Sequence, residues 1–391
     1  MSPAPSLAPN APSAPRFALQ FHPVWIVLVC AVALSILGLT ILFSSTIAKD
    51  AGPLFFLKRQ LIWLAASVVA GWAVSRIDLE YARRYAWIIA GVSLVALLAV
   101  LIPGIGRVVN GARRWIDLGI MKVQPSEFAK LALVFALAHY CGINQRHMGT
   151  FKRGFLIPCG GIGLFAVFII AEPDFGTTAL TGVVGFVMLF LAGTRLRYMF
   201  PTVLGGLGVF ALAVWQDPVR FGRITAFLDV EKYRSDGAYQ LWQAILAFAS
   251  GGVDGVGLGN GRQQQAFLPE AHTDFIFAIV GEELGLWFTL GVVAVFAVLF
   301  WAGLAHLRRA PNLFGYLLVS GSLMLLVLQS IINLGVVTGS LPTKGMSMPF
   351  ISYGGSNLLL MGCIIGLLFN TRRAWSRPNL APSRALMEVS A

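Results

Sequence analysis

Ten separate apolar runs constrain this chain more than any other feature. They fall at about residues 24–43, 53–74, 87–102, 128–142, 155–171, 177–192, 199–215, 275–304, 313–337 and 348–369. A helix rises ~1.5 Å per residue, so ~20 apolar residues cross the hydrocarbon of a bilayer. Only helices and closed barrels satisfy their own backbone there. The expected fold is an all-α polytopic membrane protein with about ten transmembrane helices. Composition agrees: 12% of residues are charged and 57% hydrophobic, whereas a soluble domain carries ~25% charged residues. The 275–304 run is long for one crossing, so it tilts or begins outside the hydrocarbon.

Between the seventh and eighth runs lies one long connection, 216–274, and the Lys and Arg pattern places it outside the cytoplasm. With the N-terminus inside, Arg83, Arg84, Arg153, Arg308, Arg309 and Arg372 all flank short cytoplasmic loops, as the positive-inside rule requires. Both termini are then cytoplasmic. Residues 1–22 are expected to be a disordered tail, because their Pro, Ala and Ser cannot bury a core. Residues 23–371 form a single transmembrane domain, and 372–391 a basic cytoplasmic tail. The net charge of +12 is scattered between apolar spans. It suits membrane lipid headgroups or an anionic substrate and argues against nucleic acid. Cys30, Cys141, Cys159 and Cys363 form no CxxC and read as small core residues.

The chemistry gathers in four stretches. Residues 268–285 read LPEAHTDFIFAIVGEELG. Glu270, His272, Thr273 and Asp274 stand where a loop enters the membrane, and Glu282 with Glu283 lies deeper, ~12 Å along a helix from Asp274. Thr273 or Asp274 serves as an ordinary helix N-cap. A cap does not explain two carboxylates at a depth where ionisable groups are costly, and the mixture also reads as a reaction site. Residues 111–130 read GARRWIDLGIMKVQPSEFAK. They are either an interface anchor with an intrahelical Glu127–Lys130 pair or a cationic shelf for phosphates. Residues 341–356, LPTKGMSMPFISYGGS, break the approach to the last span. Lys344 there is a snorkelling lysine or a point-charge partner for phosphate. Residues 172–176, EPDFG, read as a turn joining two spans.

Two further segments lie in the long connection. Residues 239–249 are expected to lie along the membrane interface as an amphipathic helix. The glycines from 251 to 261 lack the order of a dinucleotide fingerprint and read as a mobile loop that approaches a ligand.

Taken together, these motifs resemble the SEDS family (shape, elongation, division and sporulation) over about residues 24–372. The resemblance is nearer to its division branch than to its elongation branch. It implies a peptidoglycan glycosyltransferase that polymerises lipid II, an undecaprenyl-pyrophosphate-linked disaccharide peptide, at the outer face of the bacterial inner membrane and at the division septum. It also implies a class B penicillin-binding protein of the FtsI type as partner, with other divisome membrane proteins. The essential aspartate of the family falls on Asp274, and positions important in the family match Trp115, Lys122, Glu127, Lys130, Glu282 and Lys344.

The residues fit that chemistry. Glycosyl transfer from a polyprenyl pyrophosphate needs a base, here Asp274 with its pKa raised by burial and Glu270. It also needs positive charge at the leaving group, from Arg113, Lys122, Lys130 and Lys344, with or without a divalent cation such as Mg or Mn. No cofactor is otherwise implied, and the metal ligands are not identified. His272, Ser352, Trp115, Glu127 and Glu282 complete the expected substrate-binding set. A two-carboxylate glycosidase is not supported. A lipid II flippase and a non-catalytic scaffold that recruits the penicillin-binding protein are the alternatives.

Overall fold

The computed structural model describes residues 22–47, 52–109, 111–117, 119, 122–263 and 267–376. The expected tail at 1–22 lies almost wholly outside the described residues, as do 377–391 of the C-terminal one, whose first residues continue the last helix to Trp375. In chain order the helices are α1 (Pro23–Ser45), α2 (Pro53–Arg76), α3 (Leu79–Arg84), α4 (Ala86–Leu101), α5 (Pro125–Ile143), α6 (Ile157–Ala171) and α7 (Phe175–Leu191). They continue with α8 (Leu196–Trp215), α9 (Pro218–Leu228), α10 (Tyr239–Gly251), α11 (Ile276–Leu307), α12 (Leu313–Val337) and α13 (Gly355–Trp375). Among the described residues, eight helical segments are long and apolar enough to cross a membrane. Two shorter apolar helices, Ala86–Leu101 and Phe175–Leu191, accompany them. The chain is an integral membrane protein.

Helix starts follow local chemistry. Pro opens α1, α2, α5 and α9, where its missing N–H costs nothing. Asp78, Asp174, Asp217 and Asn312 cap α3, α7, α9 and α12 through their side chains. Helices α5 and α12 are the most enclosed and form the middle of the bundle, whereas α8 leaves most of its apolar surface open. Without a hydrophobic force between helices in lipid, small residues let backbones approach. A Cβ at Gly71 of α2 would stand 2.6 Å from the Gly362 carbonyl oxygen of α13.

At one end, side chains tie the helix ends together. Asn370 donates to the carbonyls of Val74 and Ile77, Tyr140 to Arg153, and Thr194 to Gly154. His306 stacks on Trp375 and meets His22 edge-on, so the described chain begins and ends on the same side. The other end carries the 102–124 connection, the 172–174 turn and the 338–354 segment.

Three features depart from the sequence reading. First, the 102–124 connection holds strands, which the all-α expectation did not include. It carries a three-stranded antiparallel sheet, β1 (Gly106–Val109), β2 (Ala112–Asp117) and β3 (Lys122–Val123), in that order. Arg107 pairs across it with Asp117 at 3.2 Å. Second, α10 does form, but its stripe of Leu241, Ala244, Ala247 and Gly251 is buried against protein rather than laid on lipid. Third, the glycine loop is tied to α11 by backbone hydrogen bonds. Val256 and Gly257 donate their N–H groups to the carbonyls of Glu282 and Glu283 at 3.0 Å each.

That clamp breaks α11. Gly285 sits at φ 75°, ψ −170° inside it, backbone that only glycine adopts freely. A Cβ there would also lie 2.4 Å from the Val253 carbonyl oxygen. The long run is therefore two helices, and residues 286–307 are about one crossing at ~1.5 Å per residue. Gly285→Ala is expected to lower the thermal unfolding temperature of the purified protein. Gly291→Ala, where a Cβ meets nothing within 4 Å, should leave it unchanged. Equal unfolding temperatures for the two variants would show that the break is not required.

Candidate active site

Two irregular segments meet beside the end of α12. Asn333 donates from one amide nitrogen to the Asp274 carbonyl at 2.8 Å and the Met346 carbonyl at 2.6 Å. Gln329, about one turn earlier, donates to the Ser347 carbonyl at 3.0 Å. Non-helical backbone inside a membrane bundle needs such partners. The Tyr353 N–H closes the junction on the His272 carbonyl at 3.0 Å.

The consequence is the placement of the Asp274 carboxylate against Gly345. A Cβ at that glycine would come 2.6 Å from Asp274 Oδ2. The N-cap position of α11 belongs to Phe275, and no side chain caps that helix. Asp274 is therefore not spent on the helix start. Thr273 is not either, since its hydroxyl turns back to Glu270 Oε2 at 2.9 Å.

Next to this carboxylate lies a cationic face built from three distant parts of the chain. Lys344 Nζ pairs with Asp174 Oδ1 at 3.1 Å. Asp174 also accepts from the Thr177 N–H and hydroxyl at 3.1 and 2.8 Å. Arg114, on β2, grips the same turn, donating to the carbonyls of Glu172 at 2.9 Å and Pro173 at 2.6 Å, with Asp174 Oδ2 4.0 Å away. Gly176 makes room, for a Cβ there would overlap the Lys344 ammonium at 1.9 Å. Arg223, on α9, is close enough for its charge to bear on Lys344.

These neighbours set the charge states. Burial, then the nearby Glu270 charge, push the Asp274 carboxyl up to about 7, against the pull of Lys344. Burial alone would raise Asp174, but Lys344, Arg114 and the Thr177 donors overcome it and hold that carboxyl below its usual range. Burial pushes Lys344 down despite Asp174, and Arg114 and Arg223 add to the shift. Burial and the Asp174 charge raise the enclosed Glu172 to about 8. A group that titrates near neutrality beside fixed positive charge is suited to taking up a proton.

The expected site residues divide. Asp274, Lys344 and Glu270 come together. Arg113 does not, because neighbours on a strand face opposite ways. It reaches back to the Leu101 carbonyl at 3.1 Å, and its neighbour Arg114 faces the site. Trp115 is half-buried in β2, opposite Arg107, and Lys122 is exposed on β3. Lys130 is not on a shelf: it is 1% exposed inside the bundle, 2.9 Å from Glu127. His272 packs its ring against Phe56 and Tyr353.

Ser352 is folded into its own turn, accepting from the Met348 N–H at 2.7 Å. Glu282 is used by the glycine loop, accepting from the N–H groups of Arg262 at 2.8 Å and Gln263 at 3.2 Å. Glu283 likewise accepts from Ser44 and Gly259. Sequence reasoning missed Asp174, which it assigned to a turn, and with it Arg114, Gly176 and Asn333. The Asp-Phe-Gly-Thr string was the available signal, since a turn does not require the threonine. Among the described residues, no group of three or more His, Cys, Asp or Glu is placed to hold a metal ion. The positive charge beside Asp174 comes from Lys344 and Arg114, and Lys344 is also the cation that pulls on Asp274.

Fold and site together define a polytopic membrane protein whose carboxylate–lysine face is assembled from irregular segments at one end of its helices. The family model for the cell cycle proteins FtsW, RodA and SpoVE matches residues 24–376, and the chain belongs to that family. A probable peptidoglycan glycosyltransferase FtsW of Hahella chejuensis is 42% identical over 347 residues, covering 86% of this chain and 87% of that protein. Stage V sporulation protein E of Bacillus subtilis is 37% identical over 357 residues, covering 90% and 97%. A chain in a solved peptidoglycan synthase complex, described as coordinating polymerization and crosslinking, superposes with a TM-score of 0.74. It is 25% identical, covering 90% of this chain and 98% of that one.

Proposed function

We propose that the chain is a peptidoglycan glycosyltransferase that polymerises lipid II, with Asp274 as general base. The observation that carries this reading is a buried carboxylate, free of any capping duty and held against Gly345 beside Lys344, which burial and Glu270 push up to about 7. In the reaction an acceptor sugar hydroxyl attacks the anomeric carbon of a pyrophosphate-linked sugar. Its proton passes to Asp274, a new C–O bond forms, and the bond to the lipid pyrophosphate breaks with the electron pair leaving on oxygen. Lys344 and Arg223 meet the charge that develops there. Asp174 and Arg114 act through Lys344, holding it at the site. The relatives' printed activity supports the same reaction. The direct test is purified protein with lipid II, followed by gel analysis of glycan products, with and without a class B penicillin-binding protein. No polymer under either condition would remove the enzyme reading and leave a flippase or scaffold.

Orientation, partner and place in the cell belong to this proposal. The site end faces outward and both termini are cytoplasmic, which the short basic loops at Arg83 and Arg84 and at Arg308 and Arg309 support. A class B penicillin-binding protein crosslinks the product, in line with the synthase complex that this chain resembles, and the pair works at the division septum. An impermeant thiol reagent on intact cells should label Ser235→Cys and spare Arg84→Cys, above the background of the native cysteines. The reverse pattern would invert the molecule and move the site to the cytoplasm.

Lys344→Ala should slow polymerisation roughly 10- to 150-fold, the equivalent of a charged hydrogen bond worth ~1.5–3 kcal/mol. Lys344→Arg should recover part of it. Gly176→Ala should slow the reaction without removing a charge, because it displaces the ammonium. Parental rates in both alanine variants would return Lys344 to the role of an interface anchor.

A further inference from the structure

The end of the molecule away from Asp274 carries a second polar site. A cleft of about 670 Å³ opens there, lined by Asp78, Glu80, Tyr81, Arg83, Arg84 and His139. Helix α3 supplies four of these residues and Asp78 is its cap, while His139 projects from α5. The volume lies in the range of small-molecule sites, and none of these residues takes part in the reaction proposed above.

We propose that this cleft binds the headgroup of a zwitterionic phospholipid of the phosphoethanolamine class. Its lining holds two carboxylates and two guanidinium groups, both signs side by side. Arg83 is already engaged, 2.8 Å from Glu80 and lying over the Phe314 ring at 5.2 Å. Arg84 is exposed at the rim and offers a planar fork for phosphate. His139 is nine-tenths buried, lies edge-on to Trp87 at 5.9 Å, and keeps a buried Nδ1 without a hydrogen-bond partner. A buried polar atom of that kind at the wall of a cleft is one that a polar occupant or a bridging water satisfies.

The surroundings identify the occupant as a lipid. Tyr81, Tyr85 and Trp87 are exposed beside the cleft at 61%, 37% and 55%, and rings of this kind mark headgroup level in a bilayer. The cleft therefore opens at the depth where phosphates and amines lie. Arg84 takes the phosphate, and Glu80, whose side chain is 72% exposed and paired with Arg83 through a single guanidinium nitrogen, keeps lone pairs for the ammonium. A purely anionic headgroup would be repelled by Asp78 and Glu80 and a purely cationic one by both arginines, whereas a zwitterion complements both signs of the lining.

The test is native mass spectrometry of the full chain in detergent, titrated with phosphatidylethanolamine or phosphatidylglycerol of the same acyl chains. The parental protein should retain one phosphatidylethanolamine in preference to phosphatidylglycerol. Arg84→Ala and Glu80→Gln, both at exposed positions, should each weaken retention roughly tenfold, the effect of losing one charge-assisted contact. Equal or better retention of phosphatidylglycerol would overturn the proposal in favour of an anion site. Parental retention in both variants would overturn it outright. Soluble phosphoethanolamine binding as tightly as the lipid would overturn the assignment to a membrane component.

Discussion

Asp274→Asn is expected to abolish glycan polymerisation while leaving the protein folded. General base catalysis contributes typically ~10²–10⁴-fold, and an amide cannot accept the proton. The fold should not suffer, because the Asp274 side chain caps no helix and its backbone carbonyl still receives Asn333. For the same reason Asp274→Ala should match the Asn variant in thermal stability as well as in inactivity.

The parental pH profile should rise through about 7, where the carboxylate forms, and activity should be lost below it. Removing the repulsion of Glu270 stabilises the ionised form, so Glu270→Gln should move that limb to lower pH. A folded Asn variant that still makes polymer from lipid II would remove Asp274 from the mechanism. A profile that Glu270→Gln leaves in place would assign the limb to another group.

Lys130→Ala is expected to produce the largest loss of stability. Its ammonium is 0% exposed and lies 2.9 Å from Glu127, whose side chain is 10% exposed. Breaking a buried ion pair from one side leaves an uncompensated charge, at about 3–5 kcal/mol. Replacing both partners by neutral groups of similar size is far milder, so Lys130→Met with Glu127→Gln should recover most of the unfolding temperature that either change loses alone. Thermal unfolding in detergent, read as a double-mutant cycle, checks this. A Lys130→Ala protein that melts like the parent but polymerises poorly would return Lys130 to the pyrophosphate.

The difference between Lys130 and Lys344 shows what a sequence conveys about such a site. Both read as cations near polar motifs, and only packing separates them. Lys130 lies on the enclosed face of α5, which depends on which helices surround it. Lys344 meets Asp174, 170 residues earlier, and nothing local in the Glu-Pro-Asp turn announces a partner so distant. The choice of Arg114 over Arg113 depended on whether 112–117 is a strand, because alternation then sends neighbours to opposite faces. Glu282 and Glu283 looked catalytic because carboxylates at that depth are costly. Their partners include backbone amides of the glycine loop, which carry no side-chain signal, and hydroxyls as distant as Ser44.

By itself the sequence determined the elements whose physics is local. Runs of ~20 apolar residues must become helices in lipid, and prolines and short polar residues set where those helices start. It also marked Asp274 and Lys344, because charge at a membrane boundary is conspicuous against an apolar background. Tertiary structure alone decided which charges face one another, which are enclosed, and which glycines admit a neighbouring backbone. Those properties depend on distances between residues far apart in the chain, and they exist only once the helices have packed.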